Sequence, residues 1–394
     1  MSERHDVPAG VPGPGELIAG KYEVESILGV GGMGAVVAAR HHGLGHSVAI
    51  KFLLPDALAN AEGLARFLRE ARALVRLRSE HVVRVMDVDT LPGGAPYVVM
   101  ERLHGQDLAQ ALAARGPLPP AEAVGYVLQA CAAVAEAHAL GIVHRDLKPA
   151  NLFVTAGPDG APLIKVLDFG ISKVVDLGAG DGAGLTASSA LMGTPAFMSP
   201  EQIRSARDVD GRTDIWAFGA VLYQLLGGAP PFAGDNLVAV CAAILAAEAP
   251  ALGRVRPEVP PGLERVVSRC LEKDPARRYP TVAHLARALL PFAPPGCAAL
   301  VARIERTAGV APPPAAPPAA PARRRWLAGL ALGGVALGAA AFWGLRPATP
   351  AGSPAPATGV RAAAPPPRAP ASPLLEARVP ASVPARPPDL GPAR

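Results

Sequence analysis

The sequence predicts an α+β protein with a small β-rich lobe followed by a larger helical lobe. Three observations carry this. Short β-type runs crowd the stretch from Lys21 to Glu101. Between Asp107 and Leu290 the apolar residues recur at helical spacing. The 394 residues include 45 Pro and 42 Gly, an excess that a fully folded chain does not carry, so part of the chain is expected to be unfolded.

Residues 1–20 are polar, rich in Gly and Pro, and expected to be disordered. They have no apolar h-region, so no signal peptide is expected. Tyr22–Leu28, Ala35–Arg40, Ser47–Phe52, Val82–Asp89 and Pro96–Glu101 read as strands. A helix over Ala59–Leu77 interrupts them, with Leu64, Phe67, Leu68, Ala71, Leu74 and Val75 forming one apolar stripe. Helices follow at Asp107–Ala114, Pro120–Leu140, Arg212–Leu226, Leu237–Ala247, Leu263–Leu271 and Thr281–Leu290, several stopping near Gly or Pro. Leu152–Thr155 and Leu163–Leu167 read as strands around the turn Gly157-Pro158-Asp159-Gly160.

One folded domain is thus expected over 21–290. Residues 291–325 read as a Pro/Ala-rich, partly extended linker. Residues 326–345 contain no charge, and twenty helical residues span about 30 Å, a hydrocarbon core's thickness. Trp326 and Trp343 sit near its ends, where interfacial aromatics prefer to lie. A transmembrane helix is expected there, and a disordered tail over 346–394.

Charge and cysteine content exclude some classes. Residues 291–394 carry 11 basic and 3 acidic side chains, which leaves 27 basic and 30 acidic in 1–290. The folded part therefore has no basic excess, and no nucleic-acid partner is expected. Cys131, Cys241, Cys270 and Cys297 form no CxxC pair, which argues against a disulfide scaffold or a zinc site.

The chemistry-bearing residues fall into three groups. Gly29, Gly31 and Gly34 lie in a turn between two strands, where backbone N–H groups can approach phosphate oxygens. A dinucleotide fingerprint would instead open a helix, and Ala35–Arg40 is strand-like. Lys51 is the single charge on an apolar strand, with Glu70 on the following helix as a carboxylate partner; such a lysine grips phosphate as a positioned point charge. Asp146, Lys148, Asn151 and Asp168 then supply a base, a cation and two oxygen ligands suited to a hard divalent metal.

These residues, in this order, resemble a protein kinase, and more closely the bacterial membrane-anchored Ser/Thr kinases of the eukaryotic (Hanks) type. The resemblance runs over roughly Lys21–Leu290 and includes His144-Arg-Asp-Leu-Lys-Pro-Ala-Asn151, Asp168-Phe-Gly170, Ser199-Pro-Glu201, Asp214-Ile-Trp216 and Arg278. Ser199 departs from the family's usual Ala. The resemblance implies the bilobal kinase fold and transfer of the ATP γ-phosphate to protein Ser/Thr hydroxyls, including the chain's own. ATP and Mg²⁺ (or Mn²⁺) are the implied cofactors.

The resemblance implies a role for each residue. Asp146 accepts the hydroxyl proton and Lys148 neutralises the γ-phosphate. Lys51, paired with Glu70, holds the α/β-phosphates. Leu28, Gly29, Gly31, Gly34 and Val36 cover the nucleotide. Met100 is the gatekeeper, Glu101–Leu103 the adenine hinge, and Asp107 the ribose contact. Asn151 and Asp168 hold the metal, and Glu201 with Arg278 braces the segment before it. Lys148, two residues after Asp146, and Thr194 favour Ser/Thr over Tyr.

Thr186 and Ser188 precede Gly193 by seven and five residues and match the bacterial autophosphorylation positions, with Arg145 as phosphate receiver. Arg323, Arg324 and Arg325 precede the apolar span and only Arg346 follows closely, so the kinase domain is expected in the cytoplasm of a single-pass inner-membrane protein. Gly329-xxx-Gly333 and Gly334-xxx-Gly338 permit close helix approach, and hence a homodimer. A membrane-tethered pseudokinase that only binds partners would lack Lys51, Asp146 or Asp168. A small-molecule phosphotransferase of related fold would lack the segment ending in Pro200-Glu201.

Overall fold

The computed structural model describes residues 10–31, 34–53, 71, 74–169, 195–205 and 209–310. The N-terminal lobe is a six-stranded antiparallel sheet in the order β1-β2-β3-β4-β6-β5. Its strands are β1 (Leu17–Ile18), β2 (Tyr22–Gly31), β3 (Gly34–His41), β4 (Ser47–Leu53), β5 (Val85–Thr90) and β6 (Pro96–Glu101). The expected disorder of residues 1–20 is corrected over its second half: β1 pairs with β2, and Val11 and Ile18 are buried in the lobe's apolar cluster. Alternation decides what each strand buries. Val37, Ala39, Val48, Ile50 and Phe52 enter one apolar cluster with Tyr97 and Val99. Val36 and Lys51 are register partners at the positions between these, on the opposite face. The predicted strand over Val82–Asp89 starts later than expected, because Val82 instead makes an isolated parallel bridge to Val166.

β7 (Gly105–Asp107), β8 (Leu152–Ala156) and β9 (Pro162–Val166) form a second, three-stranded sheet. Its hairpin closes as the sequence predicts: Gly160 takes φ +77°, and the Gly157 N–H donates to the Ala161 carbonyl at 2.8 Å. Asp107 ends β7 and caps α1 (Leu108–Arg115), its side chain accepting from the Gln110 N–H in a capping box.

The helical lobe is built on two buried helices, α2 (Pro120–Ala139) and α4 (Arg212–Gly227). Each buries residues on all sides, and together with Leu147, Leu152 and Val166 they supply the main apolar core. Short α3 (Pro200–Arg204) precedes α4. After α4 come α5 (Leu237–Ala246), α6 (Leu252–Val255), α7 (Pro261–Cys270) and α8 (Val282–Leu289).

The expected extended linker from 291 is corrected over its first part. Residues Cys297–Thr307 form α9, with Val301 and Ile304 buried in the main core. The proline density of 291–322 hid this, since 297–307 contains no proline and places Leu300, Val301 and Ile304 on one helical stripe. The predicted transmembrane segment 326–345 and the tail lie outside the described residues. Among the described residues no helix is long and apolar enough to cross a membrane. Residues 59–70 of the predicted helix also lie outside them; of its stripe, Ala71 and Leu74 are buried.

Candidate active site

The β2–β3 hairpin pairs Gly29 with Val36 and Gly31 with Gly34. Gly34 is required by contact, because a Cβ there would collide with the Phe52 carbonyl oxygen. Gly29 has a different surrounding: a Cβ there would meet nothing within 4 Å. Its missing side chain leaves open space on the hairpin, as a phosphate cover needs. Leu28 beside it is exposed and Val36 half-buried.

Lys51 on β4 donates from Nζ to Asp168 Oδ1 at 2.6 Å, across 117 residues of chain. A cation from the strand lobe thus meets a carboxylate from the loop after β9. Glu70, its predicted partner, lies outside the described residues, as do Thr186, Ser188 and Thr194. Asp168 adopts φ +49°, a left-handed conformation uncommon for a residue with a side chain. Phe169 after it is buried against the His144 ring, with centroids 4.6 Å apart.

Asp146 is the centre of a second cluster. Its Oδ2 accepts from Lys148 Nζ at 2.9 Å and from Asn151 Nδ2 at 3.1 Å. Asn151 Nδ2 also donates to the Asp146 carbonyl at 2.8 Å, tying the 3-10 turn Pro149–Asn151 back to the loop. With its nitrogen so committed, the oxygen is the atom Asn151 has to offer a cation. That oxygen and the Asp168 carboxylate are hard donors, and they fit Mg²⁺ or Mn²⁺, which draw remaining ligands from phosphate and water. Among the described residues no cluster of three or more His, Cys, Asp and Glu side chains exists to hold a metal by protein ligands alone.

The loop carrying Asp146 is held from beneath. Buried Asp214 on α4 accepts the His144 N–H through Oδ2 and the Arg145 N–H through Oδ1, each at 2.9 Å. His138 on α2 joins Asp214 Oδ2 at 2.7 Å. Burial alone would raise the Asp214 carboxyl's pKa, but these hydrogen bonds and the nearby imidazoles outweigh it and hold it below the usual value. Burial keeps the His144 imidazole below its ordinary pKa, and a ring nitrogen meets the Leu167 carbonyl at 2.9 Å. Sequence reading missed His138. A histidine six residues before His144 carried no signal until α2 and α4 packed together.

The hinge side chains turn away from the cleft. Glu101 Oε1 accepts from the Arg84 N–H at 2.8 Å and from Lys165 Nζ at 2.7 Å. Arg102 pairs with Glu25 at 2.6 Å. The Glu101 carboxylate is therefore engaged away from an adenine, its N–H donates to the Arg84 carbonyl at 3.0 Å, and half-buried Leu103 follows in the link to β7. The predicted ribose contact Asp107 has Oδ1 engaged as the α1 cap. Behind the hinge, a cavity is lined by Lys51, Val85, Val98, Met100, Asp168 and Phe169.

A two-lobed fold with a glycine hairpin over one wall, and an aspartate-rich loop with a lysine from the opposite lobe below it, defines the class of ATP-dependent phosphotransferases built on the kinase fold. The protein kinase domain family matches residues 22–289, and the chain belongs to that family. It is 41% identical over 266 residues to the serine/threonine-protein kinase Pkn3 of Myxococcus xanthus, covering 67% of this chain and 48% of that one. It is 37% identical over 281 residues to serine/threonine-protein kinase PknB of Mycobacterium leprae, covering 68% and 42%. The chain thus spans about half the length, or less, of these curated relatives. Among solved structures it resembles the Mycobacterium tuberculosis PknI kinase domain, at a TM-score of 0.57 and 31% identity, covering 72% of this chain and 100% of that one.

Proposed function

We propose that this protein transfers the γ-phosphoryl group of ATP to serine and threonine hydroxyls of proteins, its own included. The observation that carries this reading is the pair of adjoining clusters, Lys51 with Asp168 and Asp146 with Lys148 and Asn151, joined where the Leu167 N–H donates to the Asn151 carbonyl at 2.9 Å. Phosphoryl transfer asks for positioned charge more than covalent chemistry, and these clusters supply both signs. In this reading Lys51 grips the α/β-phosphates beneath the hairpin of Leu28, Gly29, Gly31, Gly34 and Val36. Asp146 takes the hydroxyl proton as the oxygen attacks, and Lys148 offsets the charge that develops. Asn151 and Asp168 would hold a divalent cation, which when bound neutralises phosphate charge. A pseudokinase is disfavoured because Lys51, Asp146 and Asp168 are all present.

We further propose that Thr186 and Ser188 are autophosphorylated, that residues 326–345 anchor the protein in a membrane with the kinase domain cytoplasmic, and that its small-residue pattern supports a homodimer. The test is incubation with [γ-³²P]ATP and a generic basic protein. Label on serine and threonine that disappears on chelation of divalent metal is expected. No label with Mg²⁺ or Mn²⁺ present would defeat the reading.

A further inference from the structure

Arg145, directly before Asp146, adopts φ +64° with a full side chain. Such a conformation is unfavourable for an L residue and persists only where its surroundings over-determine it. Its N–H is bound by Asp214 Oδ1 at 2.9 Å. Its carbonyl is bound from another direction, by Gln202 Nε2 on α3 at 2.8 Å.

Gln202 is itself fixed. Its Oε1 accepts from the Ser199 N–H at 3.0 Å, and its own N–H donates to Ser199 Oγ at 3.3 Å, a capping box at the start of α3. Ser199 Oγ in turn meets the Thr213 hydroxyl on α4. The amide orientation follows from its partners, since a backbone N–H must face the oxygen and a carbonyl must face the nitrogen. Gln202 thus bridges the end of the segment after Asp168 to the strained peptide before Asp146, and Ser199, the departure from the usual Ala, anchors that bridge.

We infer that Gln202 is a positioning residue: by holding the Arg145 carbonyl it keeps the Arg145–Asp146 peptide in the orientation that aims Asp146. This rests on the phosphoryl-transfer reading above for its functional meaning. A carboxylate or hydroxyl misplaced by a fraction of an ångström loses rate rather than nucleotide affinity, so the inference predicts a change in kcat and not in KM for ATP.

Two variants of the full chain separate this role from the cap. Gln202→Glu keeps an acceptor for the Ser199 N–H but turns a carboxylate oxygen toward the Arg145 carbonyl. Gln202→Met keeps the length and offers neither group. Steady-state kinetics, thermal midpoint and amide exchange of residues 143–147 are measured for each. The expected result is kcat lower by about tenfold in both, as for one lost hydrogen bond, with KM for ATP within about twofold; the midpoint is nearly unchanged in Gln202→Glu and lower in Gln202→Met, which also strips the acceptor from the Ser199 N–H. Exchange of 143–147 is expected to rise several-fold. A kcat within about twofold of the parent for Gln202→Glu overturns the inference. So does a loss of kcat that arrives with matching losses of nucleotide affinity and thermal midpoint, which assigns Gln202 to the cap alone. If the parent itself transfers no phosphate, the functional reading fails, and exchange still decides: unchanged exchange at 143–147 overturns the positioning role and raised exchange upholds it.

Discussion

Arg278 and Glu201, 77 residues apart, meet in a bidentate ion pair, Nη1 to Oε1 at 2.6 Å and Nη2 to Oε2 at 2.8 Å. Arg278 is 1% exposed, and its remaining donors reach the carbonyls of Arg212, Glu272 and, at 3.5 Å, Lys273. The pair therefore ties α3 to α4 and to the turn before α8. Removing one partner of such a pair strands the other charge in a poorly solvated site. Arg278→Ala is expected to lower unfolding free energy by about 3–5 kcal/mol. Urea titration of the variant beside the parent checks this, and a loss below about 1 kcal/mol would mean that water replaces the guanidinium.

Buried titrating groups set the acid limit of stability. His81 and His144 have pKa values lowered from 6.5 by burial. The unfolded chain therefore takes up their protons first, so their contribution is complete above about pH 6.5 and is lost as pH falls below it. Burial would raise the Glu201 carboxyl, but Arg278 outweighs it and the pKa lies below 4.5. Its contribution, like that of Asp214, is present above the unfolded value and is lost as pH falls through the folded one. Denaturation midpoints measured from pH 8 to 4 should be flat at first, decline below about 6.5 and fall more steeply below about 4.5. A flat profile down to pH 5 would contradict the histidine assignment.

Asp146→Asn preserves the side chain's shape and an oxygen to accept from Lys148 and Asn151 while removing the carboxylate proposed as the base. It is expected to lower kcat by about 10²–10⁴-fold with an unchanged thermal midpoint. Lys51→Met is expected to abolish transfer as well, since it deprives Asp168 of its cation and, in the proposed role, the phosphates of theirs. Transfer above about a tenth of the parental rate in Asp146→Asn would remove Asp146 from the role of base.

Helix α9 lies beyond the family match yet belongs to the core. Val301 and Ile304 are 3% and 1% exposed, and Glu305 pairs with Arg287 of α8. A chain ending at Leu290 is expected to be less stable than one ending at Val310 by about 3–6 kcal/mol, from two buried aliphatic side chains alone. Equilibrium urea unfolding of the two chains gives the difference, and equal stabilities would show that α9 contributes nothing.

The sequence by itself determined the two-lobe order and most strands and helices, and it singled out Lys51, Asp146, Lys148, Asn151 and Asp168 as the residues carrying charge and hard donors. Glycines in a strand-flanked turn, a lone lysine on an apolar strand and a dense polar run after a long helix are local signals, readable because each sets chemistry or backbone freedom at its own position. What only the tertiary structure decided were relationships across long stretches of chain. Lys51 meets Asp168 across 117 residues, and Asp214 reaches the Arg145 N–H across 69. The carboxylate of Glu101 turns to Lys165 rather than to the cleft, Asp107 spends Oδ1 on a helix cap, and Gln202 reaches the Arg145 carbonyl. The capping box of Ser199 with Gln202, like its second partner at Arg145, emerged only from the fold. Side-chain hydrogen bonds are short-ranged and depend on which elements pack together, so a pattern along the chain names the donors and acceptors, and only the packed fold pairs them.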